Sequence, residues 1–139
     1  MGFSELGRYM VCEDDIEIVK AGGVVLGYDF KCRYPSYRGA YLCNILQLRV
    51  FVDGKEIEQS KLRFGVNDKY FLLSEIEYMF KEYWFTGVKA AVRVIDDNGI
   101  APGEHTVKLR MKHKIPYTGY FGNYVICDDE CEKDLKVKE

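Results

Sequence analysis

The sequence has little proline and histidine and no large excess of either charge. Its 139 residues include 3 prolines and 2 histidines, and 20 basic residues face 22 acidic ones, so the formal net charge is −2. Without a positive excess, few counterions would be released from a phosphate backbone, and we expect no binding to DNA or RNA. The sequence also lacks a run of about 20 apolar residues, so we expect no membrane span.

The cysteines do not form the even framework that is typical of small secreted domains. They are five in number and irregularly spaced: Cys12, Cys32, Cys43, Cys127 and Cys131. The segment Met1–Val11 carries Glu5 and Arg8 in place of the apolar stretch of an export signal. We therefore expect a cytoplasmic protein with reduced thiols.

Glycine and tyrosine are abundant, with 13 and 11 residues, and several segments alternate apolar and polar side chains. The alternation is clearest at Leu46–Val52, Val88–Val94 and Val107–Met111, and a period of two is typical of strands with one buried face. Asp53–Gly54 and Asp96–Gly99 follow two of these segments and favour chain reversal. We predict that residues 1–139 form a single domain, an all-β sandwich of the jelly-roll or immunoglobulin-like type.

Two segments depart from the strand pattern. Ser74–Glu77 offers a capping hydroxyl with a glutamate three residues later, and apolar residues then recur at helical spacing. This pattern predicts one short inserted helix from Glu75 to Tyr83. From about Asp128 to Glu139, acidic and basic residues alternate with little to bury, which predicts a frayed, charged tail.

The sequence offers few candidate residues for catalysis or metal binding. His105 and His113 fall on one predicted strand, where eight residues span about 26 Å, too far for both to bind one ion. We interpret His105 as a capping side chain beside the turn at Pro102–Gly103. Cys127 and Cys131 are spaced suitably for zinc, but no second Cys or His pair completes a tetrahedral site. We therefore predict no catalytic residue and no metal ligand in this chain.

Aromatic and arginine residues are concentrated in three segments: Arg33–Tyr41, Tyr83–Phe85 and Ile115–Tyr124. Such residues are enriched at interface hot spots because they bury a large area and keep a polar end. We assign Trp84 to the core, since a single tryptophan is usually buried. The predicted partner-binding surface consists of Arg33, Tyr34, Pro35, Tyr37, Arg38, Gly39, Pro116 and Tyr117.

Two other interpretations use the same residues. Tyrosine rings in loops also stack on sugar rings, so the chain is alternatively a stand-alone carbohydrate-binding β-sandwich module. A third hypothesis is a small hydrolase or lyase that uses His105 with a neighbouring carboxylate, although neither a nucleophile nor a metal set accompanies it.

A series of motifs occurs in order between about Phe30 and Tyr117. They are Arg33–Gly39 (RYPSYRG), Val52–Gly54 (VDG), Tyr83–Phe85 (YWF), Gly99–His105 (GIAPGEH) and Ile115–Tyr117 (IPY). In this order they resemble the small β subunit of bacterial C-glycoside deglycosidases.

This resemblance implies a cytoplasmic two-subunit lyase that cleaves the carbon–carbon bond between a flavonoid-type aglycone and a sugar already oxidised to its 3-keto form. It implies an α subunit with a sugar-isomerase-like TIM barrel, which carries the acid and base residues and a divalent metal, manganese. By this resemblance the present chain is a non-catalytic β subunit without a cofactor of its own. It would stabilise and complete the α subunit in a hetero-oligomer.

Overall fold

A computed structural model describes residues 7–36, 38–115 and 122–138. Their strands are β1 (Glu17–Ala21), β2 (Val24–Cys32), β3 (Ala40–Tyr41), β4 (Ile45–Val52), β5 (Lys55–Glu56), β6 (Leu62–Val66), β7 (Lys69–Leu72), β8 (Tyr83–Trp84), β9 (Ala90–Ile95), β10 (Glu104–Ile115) and β11 (Val125–Lys136). Short 3₁₀ helices lie at Leu42–Asn44, Gln59–Lys61 and Leu73–Tyr78. None of the helices in the described part of the chain has the length and apolar character needed to cross a bilayer.

The strands form two main antiparallel sheets. One has five strands in the order β1-β2-β9-β6-β7, the other has four in the order β11-β10-β4-β5, and β3 pairs separately with β8. The core combines side chains of both sheets, such as Phe30 and Phe64 from the first and Val50 and Leu109 from the second. Burying a side chain of this size stabilises the fold by about 1.5–3 kcal/mol. The predicted all-β, sandwich-like fold is confirmed.

Strand β4 shows how the alternating pattern folds. Leu48, Val50 and Val52 point into the core as predicted, and the chain then reverses at Asp53 and Gly54, whose φ angles are 52° and 82°. Leu46 breaks the alternation, because the pairing of β4 with β10 shifts by one residue at this end of the strand. The shift leaves the Leu46 side chain 49 % exposed.

The inserted helix is shorter and tighter than predicted. A 3₁₀ helix over Leu73–Tyr78 replaces the expected helix from Glu75 to Tyr83. Within it only Ile76 is buried, and Leu73 and the following Met79 are partly buried against the core. Phe80 is 68 % exposed, so the apolar contact with the core ends earlier than predicted. Tyr83 instead begins β8, because pairing with β3 provides its backbone groups with hydrogen-bond partners.

The predicted frayed tail from about Asp128 is wrong. Strand β11 extends to Lys136 and pairs with β10 along its whole length, from Ile115 opposite Val125 to Glu104 opposite Lys136. Most of the charges that suggested a solvated segment lie on one face of this strand, at Asp128, Glu130, Glu132, Asp134 and Lys136. The other face buries Cys127, Asp129, Cys131 and Leu135.

The exposed face of β11 is bound to β10 by opposite charges. Arg110 contacts Asp128 at 3.0 Å, and Lys108 contacts Glu130 at 3.5 Å. Cross-strand ion pairs of this kind each stabilise the fold by about 0.2–1 kcal/mol. The alternation of charge in the sequence is therefore a ladder between two strands.

The end of β11 also contacts the other sheet. The backbone N–H of Ile16 donates to the carbonyl of Lys136 at 2.8 Å, and the N–H of Lys138 donates to the carbonyl of Ile16 at 2.7 Å. Ile16 directly precedes β1, so the last strand joins the edges of both sheets.

A pair of substitutions tests whether β11 is part of the core. Leu135→Ala removes a side chain that is 3 % exposed and should lower the free energy of unfolding by about 2–5 kcal/mol. Glu132→Ala, on the exposed face of the same strand, should change it by less than about 0.5 kcal/mol. Urea unfolding followed by circular dichroism measures both. Equal, small losses in the two variants would show that this segment is a frayed tail and not part of the core.

Candidate functional site

In the aromatic segment Arg33–Tyr41, the first ring, that of Tyr34, is buried in the core. Tyr34 is 4 % exposed, and its ring meets those of Trp84 and His113 edge-on, with centroids 5.2 Å apart in each case. The inward alternation of β2, with Phe30 and Cys32 buried, continues past the end of the strand to this residue. Tyr34 is therefore not a surface residue, contrary to the prediction.

The other predicted interface residues that the structure describes differ in exposure. Pro35 is buried, like Tyr34, and is not part of the exposed surface. Arg33 and Gly39 are half-buried, and Arg38 is exposed. The remaining predicted residues lie outside the described ones: Tyr37, Pro116 and Tyr117.

The ladder of β3 and β8 brings two of the aromatic segments together. Ala40 lies opposite Trp84 in this ladder, and the hydroxyl of Thr86 donates to the carbonyl of Ser36 at 2.8 Å. The backbones approach closely, since a Cβ atom at Gly39 would lie 2.3 Å from the carbonyl oxygen of Trp84. A glycine is required at this position for steric reasons.

Trp84 is a core residue, as predicted. Its side chain is fully buried, its ring lies edge-on to that of Phe64 at 5.1 Å, and its indole N–H donates to the carbonyl of Val88 at 2.8 Å. The indole nitrogen is thus satisfied inside the protein. Trp84 anchors the ladder and leaves the rings on either side of it near the surface.

We name five rings in this part of the chain the aromatic surface: the exposed Tyr41, Tyr78, Phe80 and Phe85 and the half-buried Tyr83. Ring centroids are 5.0 Å apart between Tyr41 and Tyr83 and 4.7 Å apart between Tyr83 and Phe85. Tyr78 ends the 3₁₀ helix and Phe80 follows it, in a segment that returns to the end of β3, where the N–H of Leu42 donates to the carbonyl of Glu82 at 2.9 Å. Exposed fractions reach 61 % at Phe85, 68 % at Phe80 and 69 % at Tyr78. Exposed rings grouped in one part of the chain make this surface a candidate for binding.

A second group of functional side chains is buried beneath Tyr34. His113 lies directly opposite Cys127 in the pairing of β10 with β11, and its Nε2 atom is 2.7 Å from Oδ2 of Asp129. The hydroxyl of Tyr34 is 3.2 Å from Nδ1 of the same ring. His113 is 0 % exposed and Asp129 is 3 % exposed. We name His113, Cys127 and Asp129 the buried cluster.

Sequence reasoning missed this cluster. It considered His113 only together with His105, and it placed Cys127 and Asp129 at the start of a solvated tail. The period of two in β11 was the available signal, because it places Cys127, Asp129 and Cys131 on one face of a strand.

The cluster is unsuited to nucleophilic catalysis. Burial raises the pKa of the Cys127 thiol above its ordinary value of 9.0, and the negative charge of Asp129 raises it further. A nucleophilic cysteine needs the opposite shift and access to substrate. The His113–Asp129 contact instead satisfies two polar groups that the fold removes from water.

Adjacent aspartates allow this structural role to be measured. Asp129→Ala leaves His113 buried without its carboxylate and should destabilise the chain by about 3–5 kcal/mol. Asp128→Ala removes only an exposed partner of Arg110 and should cost at most about 1 kcal/mol. Chemical unfolding of the two variants checks the difference, and comparable losses would show that the buried pair has no special weight.

His105 forms a different, more exposed contact. Its Nδ1–H donates to Oδ2 of Asp53 at 2.6 Å, and its Nε2–H donates to the carbonyl of Ala101 at 2.7 Å. The ring joins the β4–β5 turn to the loop before β10, which agrees with its interpretation as a capping side chain. Because both nitrogens contact acceptors, neither is available to a substrate, and the hypothesis of a His105-based hydrolase or lyase receives no support from this geometry.

The same geometry favours the protonated ring. The hydrogen bond to Asp53, and then that to Ala101, raise the pKa of His105 above its ordinary value of 6.5. Hydrogen bonds from His105 and from the Thr106 backbone lower the pKa of Asp53 below 3.8. The histidine's contribution to stability is complete below its unfolded pKa and is lost as the pH rises through its folded pKa. The aspartate's contribution is lost as the pH falls through its own folded pKa.

Stability should therefore depend on His105 in mildly acid solution and less in alkaline solution. We expect His105→Ala to lower the free energy of unfolding by about 1 kcal/mol near pH 6 and by clearly less near pH 9. Urea titrations of wild type and variant at the two pH values measure this difference. A loss that does not change with pH would show that the ring acts only through packing.

Comparisons with known proteins identify relatives of this chain. A sequence model of the family described as C-glycoside deglycosidase beta subunit matches residues 6–117. A C-glycoside deglycosidase beta subunit of Eubacterium cellulosolvens is 33 % identical over 91 residues, which cover 66 % of this chain and 62 % of that protein. A 3'-dehydrocarminate deglycosidase beta subunit of a Microbacterium species is 32 % identical over 113 residues, which cover 81 % of this chain and 85 % of that protein.

The matched family segment contains the ladder of β3 and β8 and all five residues of the aromatic surface. It ends at residue 117 and so contains His113 but neither Cys127 nor Asp129.

Proposed function

This chain belongs to the C-glycoside deglycosidase beta subunit family, and on that basis we propose that it is a non-catalytic β subunit that binds and completes a catalytic α subunit. The name of the family implies such an α partner in a complex. The proposed contact is the aromatic surface, together with the exposed Arg38 beside it.

The exposure of the rings of Tyr41 and Phe85, on either side of the half-buried Tyr83, is the observation that carries this proposal. Their mutual contacts fix them in place, so little side-chain entropy is lost when a partner covers them. Trp84 and Gly39 hold the backbone beneath them. Rigid rings beside an arginine are the chemistry of a protein–protein hot spot.

The described titratable residues support a division of labour between subunits. His105 has both nitrogens engaged, and the buried cluster is shielded from solvent. In the proposed complex the α subunit, a sugar-isomerase-like TIM barrel, carries the acid and base residues and a divalent metal, manganese. This β subunit carries no catalytic residue and supports the α subunit's fold or one wall of its substrate pocket.

The proposed reaction cleaves the carbon–carbon bond between a 3-keto sugar and a flavonoid-type aglycone. A ketone acidifies the neighbouring C–H bond, so a base removes that proton and an acid protonates the departing aglycone. The relative named for 3'-dehydrocarminate supports this class, because its name specifies a dehydrogenated substrate. The free thiols of Cys12, Cys32, Cys43, Cys127 and Cys131 support a cytoplasmic complex.

Two matched Phe→Ala substitutions test the proposed contact. Phe85→Ala removes an exposed ring of the aromatic surface and should weaken binding of the α subunit at least about 10-fold, or about 1.4 kcal/mol. Phe51 lies at the far end of β4, where its ring contacts Arg49 and Lys108. The substitution Phe51→Ala should therefore leave binding unchanged. Calorimetric titration of each variant with the α subunit measures the affinities.

The outcomes separate this function from the alternative. Equal binding by both variants would exclude the aromatic surface as the contact. Failure of wild type to bind the α subunit, combined with saturable binding of glycosides by the isolated chain, would favour a stand-alone carbohydrate-binding module.

A further inference from the structure

We propose that His113, Cys127 and Asp129 form a binding site for a zinc ion that stabilises this chain. Each residue offers one ligand atom, and the three atoms lie within 4.8 Å of one another. All three residues are buried, and no other such group occurs among the residues that the structure describes. The site is independent of the proposed aromatic contact with the α subunit.

The fold brings the three ligands together through strand pairing. His113 and Cys127 lie opposite each other on β10 and β11, and Asp129 is the next inward residue along β11. The twelve-residue pairing fixes this register, so the site is built on rigid elements. The backbone at Gly7 packs against Asp129, where a Cβ atom would lie 2.7 Å from Oδ1.

The donor set selects the class of metal. A thiolate sulfur and an imidazole nitrogen are ligands of zinc and related transition metals, whereas magnesium and calcium prefer oxygen ligands throughout. Zinc also accepts a carboxylate oxygen, and a water molecule would complete its four-coordinate shell. The set therefore points to Zn²⁺.

Tyr34 provides the orientation that a histidine ligand needs. Its hydroxyl lies 3.2 Å from Nδ1 of His113, on the side of the ring away from Asp129, and its own ring is held edge-on against Trp84. A hydroxyl oxygen in this position can accept a hydrogen bond from Nδ1–H, and in that tautomer the Nε2 lone pair is directed at the cluster. Tyr34 is thus a positioning residue and not a ligand.

The charges and protons balance when the metal binds. The proton between Nε2 of His113 and Oδ2 of Asp129 moves to Nδ1, whose N–H then donates a hydrogen bond to the hydroxyl oxygen of Tyr34, and the thiol proton of Cys127 leaves to water. Three metal–ligand bonds form, and the two negative charges of thiolate and carboxylate cancel the charge of Zn²⁺. The buried site thereby gains no net charge, which a dry interior requires.

Metal binding requires the ligand atoms to shift by up to about 1 Å. Ligand atoms at about 2.0–2.3 Å from a tetrahedral ion lie about 3.3–3.7 Å from one another, so Nε2 and Oδ2 must separate by roughly 0.6 Å from their present contact. A pair of ligand atoms at the 4.8 Å limit must approach by roughly 1 Å. Cys131 is not part of the site. Its sulfur accepts the N–H of Val11 at 3.4 Å and lies 3.2 Å from the carbonyl of Arg8.

Cobalt substitution on the full reduced chain tests the site. Titration with Co²⁺ should give a thiolate-to-cobalt charge-transfer band that saturates at one ion per chain and disappears when Zn²⁺ is added. Cys127→Ser should abolish the band, and the matched control Cys131→Ser should keep it. Tyr34→Phe should weaken binding about 10- to 100-fold and still give the band at saturation.

The remaining outcomes overturn the proposal. No band with wild type, a band that persists in Cys127→Ser, or its loss in Cys131→Ser would each exclude the assigned ligand set. X-ray absorption of the zinc-loaded wild type needs no variant to fold and should show one sulfur among nitrogen and oxygen neighbours. An all-oxygen or two-sulfur shell would contradict the site. Association with the α subunit, measured separately, should not depend on these results.

Discussion

The pairing of β10 with β11 is the constraint on which most of this structure depends. Strand β10 is central in its sheet, between β11 and β4, so its register sets which side chains of both neighbours enter the core. On the inner face this register places His113 opposite Cys127, and on the outer face it places Arg110 beside Asp128. A shift of one residue would exchange the two faces, exposing apolar groups and burying charges without partners. The charge ladder therefore specifies the register of the core as much as it adds stability.

The regular parts of the fold were predictable because their side chains follow one simple period. The alternation around Val50 and Val52 predicts a strand with these side chains buried, and Asp53–Gly54 predicts the turn after it, as the structure has them. The extent of the inserted helix was not predictable. Phe80 and Tyr83 fit a helical spacing in the sequence, and only the pairing of β8 with β3 shows that Tyr83 belongs to a strand. The β11 strand was concealed by its charges, which indicate solvation when the facing strand is unknown.

The same limit applies to the candidate site. The sequence identified the aromatic segments and the family, but it could not distinguish a ring that packs inward from one that faces solvent. Tyr34 and Tyr41 belong to the same aromatic segment, yet one extends the inward face of β2 and the other lies on the outward face of a two-residue ladder. The buried cluster combines His113 of β10 with Cys127 and Asp129 of β11. It could not be predicted, because the sequence alone does not show the register in which the two strands pair.

The location of the aromatic surface follows from how the rest of the exterior is used. The outer face of the four-stranded sheet pairs its own charges, and Arg49 and Lys108 cover the ring of Phe51. The outer face of the five-stranded sheet does the same, because Arg93 binds Asp29 at 2.8 Å and covers the ring of Tyr70 at 4.0 Å.

Charged groups already matched within the chain offer little free energy to a partner, since binding would exchange one set of contacts for another. The rings of Tyr41, Tyr83 and Phe85 contact one another, and the Lys81 ammonium lies 5.9 Å from the centre of the Phe80 ring. Covering them removes apolar area from water without breaking an ion pair, which is why we propose the contact with the α subunit at this edge of the sandwich.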